Sequence, residues 1–402
     1  MNLTESLVPR VLDTGIRTTV SDYYSWLIYP SYRINSNPET THPPFSIGNS
    51  LNRRARQEQS MLACLINGQR QAEITDVPVP RLQPGEVLIK LAAAGICGTD
   101  IEKVHGAYGP GGILGHEVSG TIASVGDDVT DLRKSDRVIA HHHVPCYNCH
   151  YCQQGDHTMC DLFRKTNFDP CGLAEYFRVP ETNVTRGAVT RLPSEASFEE
   201  GSMIEPTACC VRALNKAEVK QGDSVLVVGL GPTGLTKIQL LRKMGASTIV
   251  GADLLPKRLE MARKLGASEA IDSSSKDIPE YVTKLTHVGV DLAIVSTGNP
   301  KAIQPALASV RKGGKLLLFG APAQGSSIGL DVSALFSRQI SIVTSYSCVE
   351  SDIHSALGFL TRGDIDLRSM VTDRFVLRDA PNAIGHARTS RTAVKTMIVS
   401  ES

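Results

Sequence analysis

Two regimes of apolar patterning divide the chain. From Met61 to about Ala213, short strand-like runs such as Val87–Leu91, His116–Val125 and Arg137–Ala140 recur between Gly, Asp and Pro turns, the pattern of a distorted β-barrel. From Gly222 to about Ser341 the text becomes strand then helix: SVLVV, a helix from Gly234 to Met244, STIVGAD, a helix from Pro256 to Leu265, DLAIVST, another helix, and KLLLFG. That alternation predicts an α/β unit with a parallel, doubly wound sheet. Beyond Tyr346 a helix (Ile353–Leu360) and isolated strands ending in KTMIVS are expected to return and complete the first domain. The boundaries that follow are 61–213 with 346–402 for the β-rich domain, and 214–345 for the doubly wound one. Residues 1–60, with turn-prone PSYRINSNPETTHPP and basic NRRARQEQ, show no sustained period and are expected to build no core. We expect a disordered tail, or a misassigned start with Met61 as the true one, in preference to a targeting or assembly arm.

Composition narrows the partners. A chain of 402 residues exceeds the roughly 250–300 residues at which a single core stops growing, which agrees with two domains. Lys plus Arg (42) balance Asp plus Glu (41), so no long-range field favours nucleic acid or an anionic membrane, and a small molecule is the expected partner. No apolar run of about 18 residues and no secretory signal pattern is present, so a soluble, cytoplasmic protein is expected.

VLVVGLGPTGLTKIQLLRKMG places Gly229, Gly231 and Gly234 after an apolar strand and at the mouth of a helix with Leu235, Ile238 and Leu241 on one face. Glycines there allow a tight turn, close approach of backbone to a pyrophosphate, and close helix packing, with the phosphates on the helix N-terminus. The next strand ends at Asp253, about 20 residues on, where a carboxylate accepts hydrogen bonds from ribose hydroxyls and repels a 2′-phosphate. NAD is therefore expected over NADP, although Lys257 and Arg258 begin the following helix.

Cys146, Cys149, Cys152 and Cys160 lie in CYNCHYCQQGDHTMC. The spacing C-x2-C-x2-C-x7-C lets one loop wrap four thiolates around Zn²⁺ and leaves no open position, so the site is expected to be structural; an iron–sulfur cluster is the alternative. A second set is scattered. GICGTD and GGILGHEVSG put Cys97, Thr99, Asp100, His116 and Glu117 at strand ends, and IEPTACC adds Glu205. Ligands from separated loops suit a catalytic zinc, which keeps a position open for a substrate oxygen.

With CGTD, GHE, the four-cysteine lobe, AEYFRVP, EP, GLGPTG with Asp253 and Arg258, and KGGKLLLFG in this order, residues 61–402 resemble the zinc-containing medium-chain dehydrogenases, in the branch of sorbitol and threonine dehydrogenases. The resemblance implies a Rossmann domain with a GroES-like β-barrel catalytic domain, two zinc ions, and hydride transfer between an alcohol and NAD. It also implies that Cys97, His116 and Glu117 hold the catalytic zinc, with Glu205 beside it as alternating ligand or proton-relay group. Thr99 would pass the alcohol proton outward, Asp100 would orient the ligands, and Thr233, Asp253 and Arg258 would touch the cofactor. A homo-oligomer, dimer or tetramer joined through the Rossmann sheets, is implied as well.

Departures bear on the substrate. Where the alcohol and threonine dehydrogenases resembled here carry a relay histidine after CGTD, this chain has Ile101 and Glu102. Sorbitol dehydrogenases place an aromatic shortly after that cysteine and an arginine before a tyrosine near the last domain crossing; here Lys103 and Ser345–Tyr346 stand instead. A related polyol, cyclitol or other secondary alcohol is thus expected, with a threonine 3-dehydrogenase-type activity or a non-enzymatic NAD-binding scaffold or sensor as alternatives. The run His141, His142, His143 is expected to face solvent at a strand end, since consecutive strand residues point to opposite faces. Cys209 and Cys210 are expected as buried helix thiols.

Overall fold

The computed structural model describes residues 59–105 and 112–401; the expectation for residues 1–60 lies almost wholly outside them. Seven strands open the described chain: β1 (Ser60–Ile66), β2 (Ala72–Pro78), β3 (Val87–Gly95), β4 (Glu117–Val125), β5 (Arg137–Ala140), β6 (Tyr176–Val179) and β7 (Val189–Arg191). Six more follow, β8 (Ser224–Val228), β9 (Thr248–Asp253), β10 (Glu269–Asp272), β11 (Val290–Val295), β12 (Val310–Leu318) and β13 (Ser341–Thr344), and the chain closes with β14 (Val371–Val376) and β15 (Lys395–Val399).

β8 to β13 form one parallel sheet in the order β10-β9-β8-β11-β12-β13. The chain winds outward from β8 in one direction and then, from β11, in the other, which is the doubly wound arrangement with its switch point at β8 and β11. Parallel strands covered on both faces must be apolar throughout, and Val225 to Val228 of β8 are all buried. Each fully buried Val, Leu or Ile contributes about 1.5–3 kcal/mol relative to exposure.

The β-rich part is a seven-stranded sheet in the order β14-β15-β3-β4-β5-β7, with β6 also on β3, beside a β1–β2 ribbon. β15 pairs antiparallel with β3, so the last strand of the chain lies against a strand laid down some three hundred residues earlier. This register carries Lys395 to the ends of β3 and β4, where the chemistry gathers. The helix Glu350–Thr361 begins earlier than the expected Ile353 because Asp352 accepts a hydrogen bond from the Val349 N–H at 3.0 Å and caps an earlier turn. The helix Ile204–Lys216 joins the two parts, burying Ile204, Ala208, Val211 and Leu214 in a core shared with Val225, Val227 and Leu235.

Candidate active site and zinc lobe

β3 and β4 pair antiparallel with Gly95 opposite Glu117, so the residues just beyond one strand and just before the other meet. Cys97 follows β3 and precedes the helix Gly98–His105, while His116 and Glu117 open β4. The ligand atoms of Cys97, His116 and Glu117 all lie within 4.8 Å of one another. Gly95 makes this possible, since a Cβ there would sit 2.1 Å from Glu117 Oε2 and 2.6 Å from Lys395 Cε.

Asp100, fully buried, ties the two loops together. It accepts from the Cys97 N–H through Oδ2 and from the Gly115 N–H through Oδ1, both at 3.0 Å. Its Oδ1 lies 3.6 Å from His116 Nδ1, which is buried without a hydrogen-bond partner. With Nδ1 turned to a carboxylate, Nε2 is the ring nitrogen left for an ion. Burial opposes a charge on His116, but Asp100 and Cys97 outweigh it and hold the imidazole proton well above the usual range. Surroundings that hold an extra proton so firmly favour a dication, and a thiol, an imidazole and a carboxylate on separate loops form a donor set suited to zinc with an open position. Thr99 lies beside the set, its Oγ1 accepting from Cys97 Sγ at 3.7 Å.

Glu117 pairs with the ammonium group of Lys395, and both side chains are only 2% exposed. Lys395 also donates to the Ile96 carbonyl at 3.0 Å. Sequence reasoning missed this lysine; the only signal was a charged residue within the apolar terminal strand.

Glu205 stands in the first turn of its helix and is buried. Burial pushes its carboxyl up to about 7, with Glu117 adding to the effect, while His116 and Lys395 pull the other way. It accepts from Cys209 Sγ at 3.6 Å and from Cys348 Sγ at 4.0 Å. The histidine run corrects the expectation of solvent-facing side chains. His141 is 1% exposed and, with Glu205 and Cys348, forms a second buried group of donor atoms. His142 stacks near His116, with ring centroids 5.0 Å apart, and His143 Nδ1 lies 2.6 Å from the Thr166 carbonyl. The run leaves β5 after Ala140, so strand alternation no longer orients it. Cys210 is buried, whereas Cys209 is half-buried beside Glu205.

The four lobe sulfurs of Cys146, Cys149, Cys152 and Cys160 also lie within 4.8 Å of one another. Backbone N–H groups of Cys146 and Cys149 donate to Cys160 Sγ and Cys146 Sγ, each at 3.3 Å. Such N–H···S bonds stabilise thiolates, and the Asn148 N–H foremost, with that of Cys149, draws the Cys146 thiol down to about 6. Four convergent sulfurs fit a closed tetrahedral zinc site. Phe163 and Val349 pack against the lobe, and Tyr147 hydrogen-bonds Glu350.

At the switch point, Gly229 takes φ +91° and Gly231 caps the helix Pro232–Lys243. A Cβ on Gly234 would lie 2.0 Å from the Gly229 carbonyl oxygen, whereas one on Gly231 would meet nothing within 4 Å. The first closeness demands glycine for packing; the second leaves backbone open to an approaching pyrophosphate. Asp253 at the end of β9 accepts from the Leu230 N–H of this loop at 2.6 Å and from the N–H groups of Leu254 and Leu255 at 2.8 and 3.0 Å. Arg258 Nη1 is 3.8 Å from its carboxylate. Thr233 lies on the first turn of the helix, and its carbonyl accepts from Cys210 Sγ at 3.5 Å, joining the loop to the helix that carries Glu205.

The family model of the alcohol dehydrogenase GroES-like domain matches residues 83–194, and that of the zinc-binding dehydrogenase matches 232–362. The sorbitol dehydrogenase of Bacillus subtilis (strain 168) is 33% identical over 338 residues, covering 82% of this chain and 94% of that protein. A zinc-binding dehydrogenase from Sinorhizobium meliloti 1021, solved with NADP, superposes with a TM-score of 0.78 at 26% identity, covering 85% of this chain and 99% of that one. An alcohol dehydrogenase from Escherichia coli CFT073, solved with NADH, gives 0.76 at 25% identity, covering 85% and 99%. The chain belongs to the zinc-containing medium-chain alcohol dehydrogenases, in their sorbitol dehydrogenase branch.

Proposed function

We propose that this protein oxidises the CH–OH group of a polyol, cyclitol or related secondary alcohol to a ketone, with NAD as hydride acceptor. The observation that carries the reading is the convergence of Cys97, His116 and Glu117, with Thr99 beside them and the buried Glu205 within the electrostatic reach of His116 and Glu117, in a chain that also carries a glycine loop shaped for a dinucleotide. When bound, zinc supplies Lewis acidity and the dinucleotide supplies the hydride acceptor.

The chain's own groups then have definite tasks. Cys97, His116 and Glu117 would hold the metal, Asp100 orients the imidazole, and the Thr99 hydroxyl relays the substrate proton, accepting it while passing its own proton outward. Glu205, whose carboxyl burial pushes up towards neutrality, suits a relay group. The lobe cysteines hold a second, structural zinc.

Gly229, Gly231, Thr233 and Gly234 receive the pyrophosphate side of the cofactor, and Asp253 with Arg258 receives the adenosine ribose. A carboxylate buried at the end of β9 disfavours a 2′-phosphate, which supports NAD over NADP. No helix among the described residues is long and apolar enough to cross a membrane. The exposed edge strand β13 and the exposed Phe336, at 85%, support a homo-oligomer joined edge to edge through the parallel sheets.

The test follows NAD reduction against polyols, inositols, aminocyclitols, sugars, threonine and simple secondary alcohols, with zinc measured on the same sample. Turnover on one class with about two zincs per chain, one of them lost with activity in C97S, is the expected result. Two zincs and no turnover on any class would favour a binding scaffold, and full activity in C97S would overturn the catalytic assignment.

A further inference from the structure

Lys237, on the helix that follows the glycine loop, is completely buried. A lysine in such a place normally finds a carboxylate. Among the described residues this one forms no ion pair; the titratable side chains facing it are the thiols of Cys210 and Cys209. Its Nζ lies 3.3 Å from the Thr233 carbonyl oxygen, 3.0 Å from Ser296 Oγ and 3.1 Å from the centroid of the Phe319 ring. An ammonium group has three protons and no lone pair. A carbonyl, a hydroxyl oxygen and an aromatic face are three acceptors, and the last attracts cations. The contacts therefore match the charged form, although burial pulls the group down from its ordinary range.

The position of this cation in the fold gives it a use. Asp253 marks the adenosine side of the switch point, at the end of β9. The other half of a dinucleotide then lies on the opposite side of β8, over the carboxyl ends of β11 and β12. Ser296 directly follows β11 and Phe319 directly follows β12, so Lys237 is anchored beneath that half. The nicotinamide ring is positively charged when oxidised and neutral once it has accepted hydride. In a water-poor site, a fixed cation nearby opposes the first state and leaves the second untouched.

We propose that Lys237 is a positioning residue for the redox balance of the bound cofactor: its buried charge weakens binding of NAD⁺ relative to NADH and so favours alcohol oxidation on the enzyme. The inference rests on the dinucleotide reading above. Lys237 acts through the field at the nicotinamide and not by contact with the substrate.

The experiment measures dissociation constants of NAD⁺, NADH and ADP-ribose for the full-length, zinc-loaded wild type and for K237M and K237Q. ADP-ribose shares the adenosine and pyrophosphate but lacks the nicotinamide. In the wild type NADH is expected to bind at least about tenfold tighter than NAD⁺, and in the variants that ratio falls by about tenfold or more while ADP-ribose binding stays within about twofold. Two variants of different polarity keep the test open if one of them fails to fold. A ratio unchanged in either folded variant overturns the proposal, as does equal affinity for both redox forms in the wild type. Parallel weakening of all three ligands makes Lys237 a packing residue only, which also overturns it. A wild type that binds neither NADH nor ADP-ribose overturns the dinucleotide reading instead.

Discussion

Glu117 and Lys395 form an ion pair sealed from water at the foot of the proposed zinc site, and they reach it from strands 278 positions apart in the chain. β15 lies against β3, and β3 against β4, so one register fixes both partners. The pair lets a carboxylate persist in the interior before any metal is bound, and it joins the chain's last strand to its chemistry.

Removing one partner leaves the other as an uncompensated buried charge, which costs about 3–5 kcal/mol. K395M should lose stability of that order in denaturant melts of the metal-free protein. The double variant E117Q/K395M should lose markedly less than the sum of the single changes, because it removes the stranded charge as well. Strict additivity would show that the two side chains do not interact in solution.

Legibility in the sequence followed locality. The lobe cysteines fall within fifteen consecutive residues and the glycines within six, so spacing alone exposes both chemistries, and strand–helix alternation exposes the parallel sheet. Lys395, Cys348 and the histidine run were not readable in that way. Lys395 acquires meaning only through the pairing of β15 with β3, and Cys348 only because the Glu350–Thr361 helix docks beside Glu205. His141 sits one residue past the end of β5, where alternation no longer tells which side faces the core. Lys237 looks like an ordinary helix-surface lysine until Ser296 and Phe319 are seen to close over it.

The histidine run sets an acid limit. Burial holds the His141 imidazole down to about 3 and that of His143 down to about 4, against about 6.5 in an unfolded chain. At these two histidines the unfolded state therefore binds more protons between about pH 6.5 and 4, and their contribution to stability falls as pH drops through that window, opposed by Glu205, whose raised carboxyl binds its proton in the folded state. Each histidine contributes a slope approaching 1.4 kcal/mol per pH unit at full effect, about 2 kcal/mol between pH 7 and pH 5. In chemical melts across that range H141Q should show a shallower acid slope than wild type. An unchanged slope would mean that His141 titrates normally in the folded protein.

Asp253 fastens the Leu230, Leu254 and Leu255 N–H groups, and in the function proposed above it also accepts from the adenosine ribose. D253A should therefore weaken NAD binding and, with the repelling carboxylate gone and Arg258 close by, improve NADP relative to NAD by about tenfold or more, a change of about 1.4 kcal/mol. The comparison is of kcat/KM for the two cofactors on one substrate. A ratio that stays constant while both values fall would leave Asp253 with the loop-fastening role alone.

The β13 edge of the parallel sheet makes the last prediction. β13 is the outermost strand, three of its four residues are exposed, and the adjoining helix Val332–Arg338 shows Val332 at 72% and Phe336 at 85% exposure. An unpaired edge flanked by large apolar side chains invites strand pairing with another chain. A second copy presenting the same edge across a twofold axis would satisfy both at once. F336E places a charge on the adjoining helix and I342K places one on the edge strand itself. If the proposed homo-oligomer uses this face, the pair shifts the protein towards monomer in sedimentation at micromolar concentration. If the double variant sediments like wild type, the assembly uses another face. If wild type is itself monomeric, the exposed edge has no copy-to-copy role, and Phe336 is left to explain by other means.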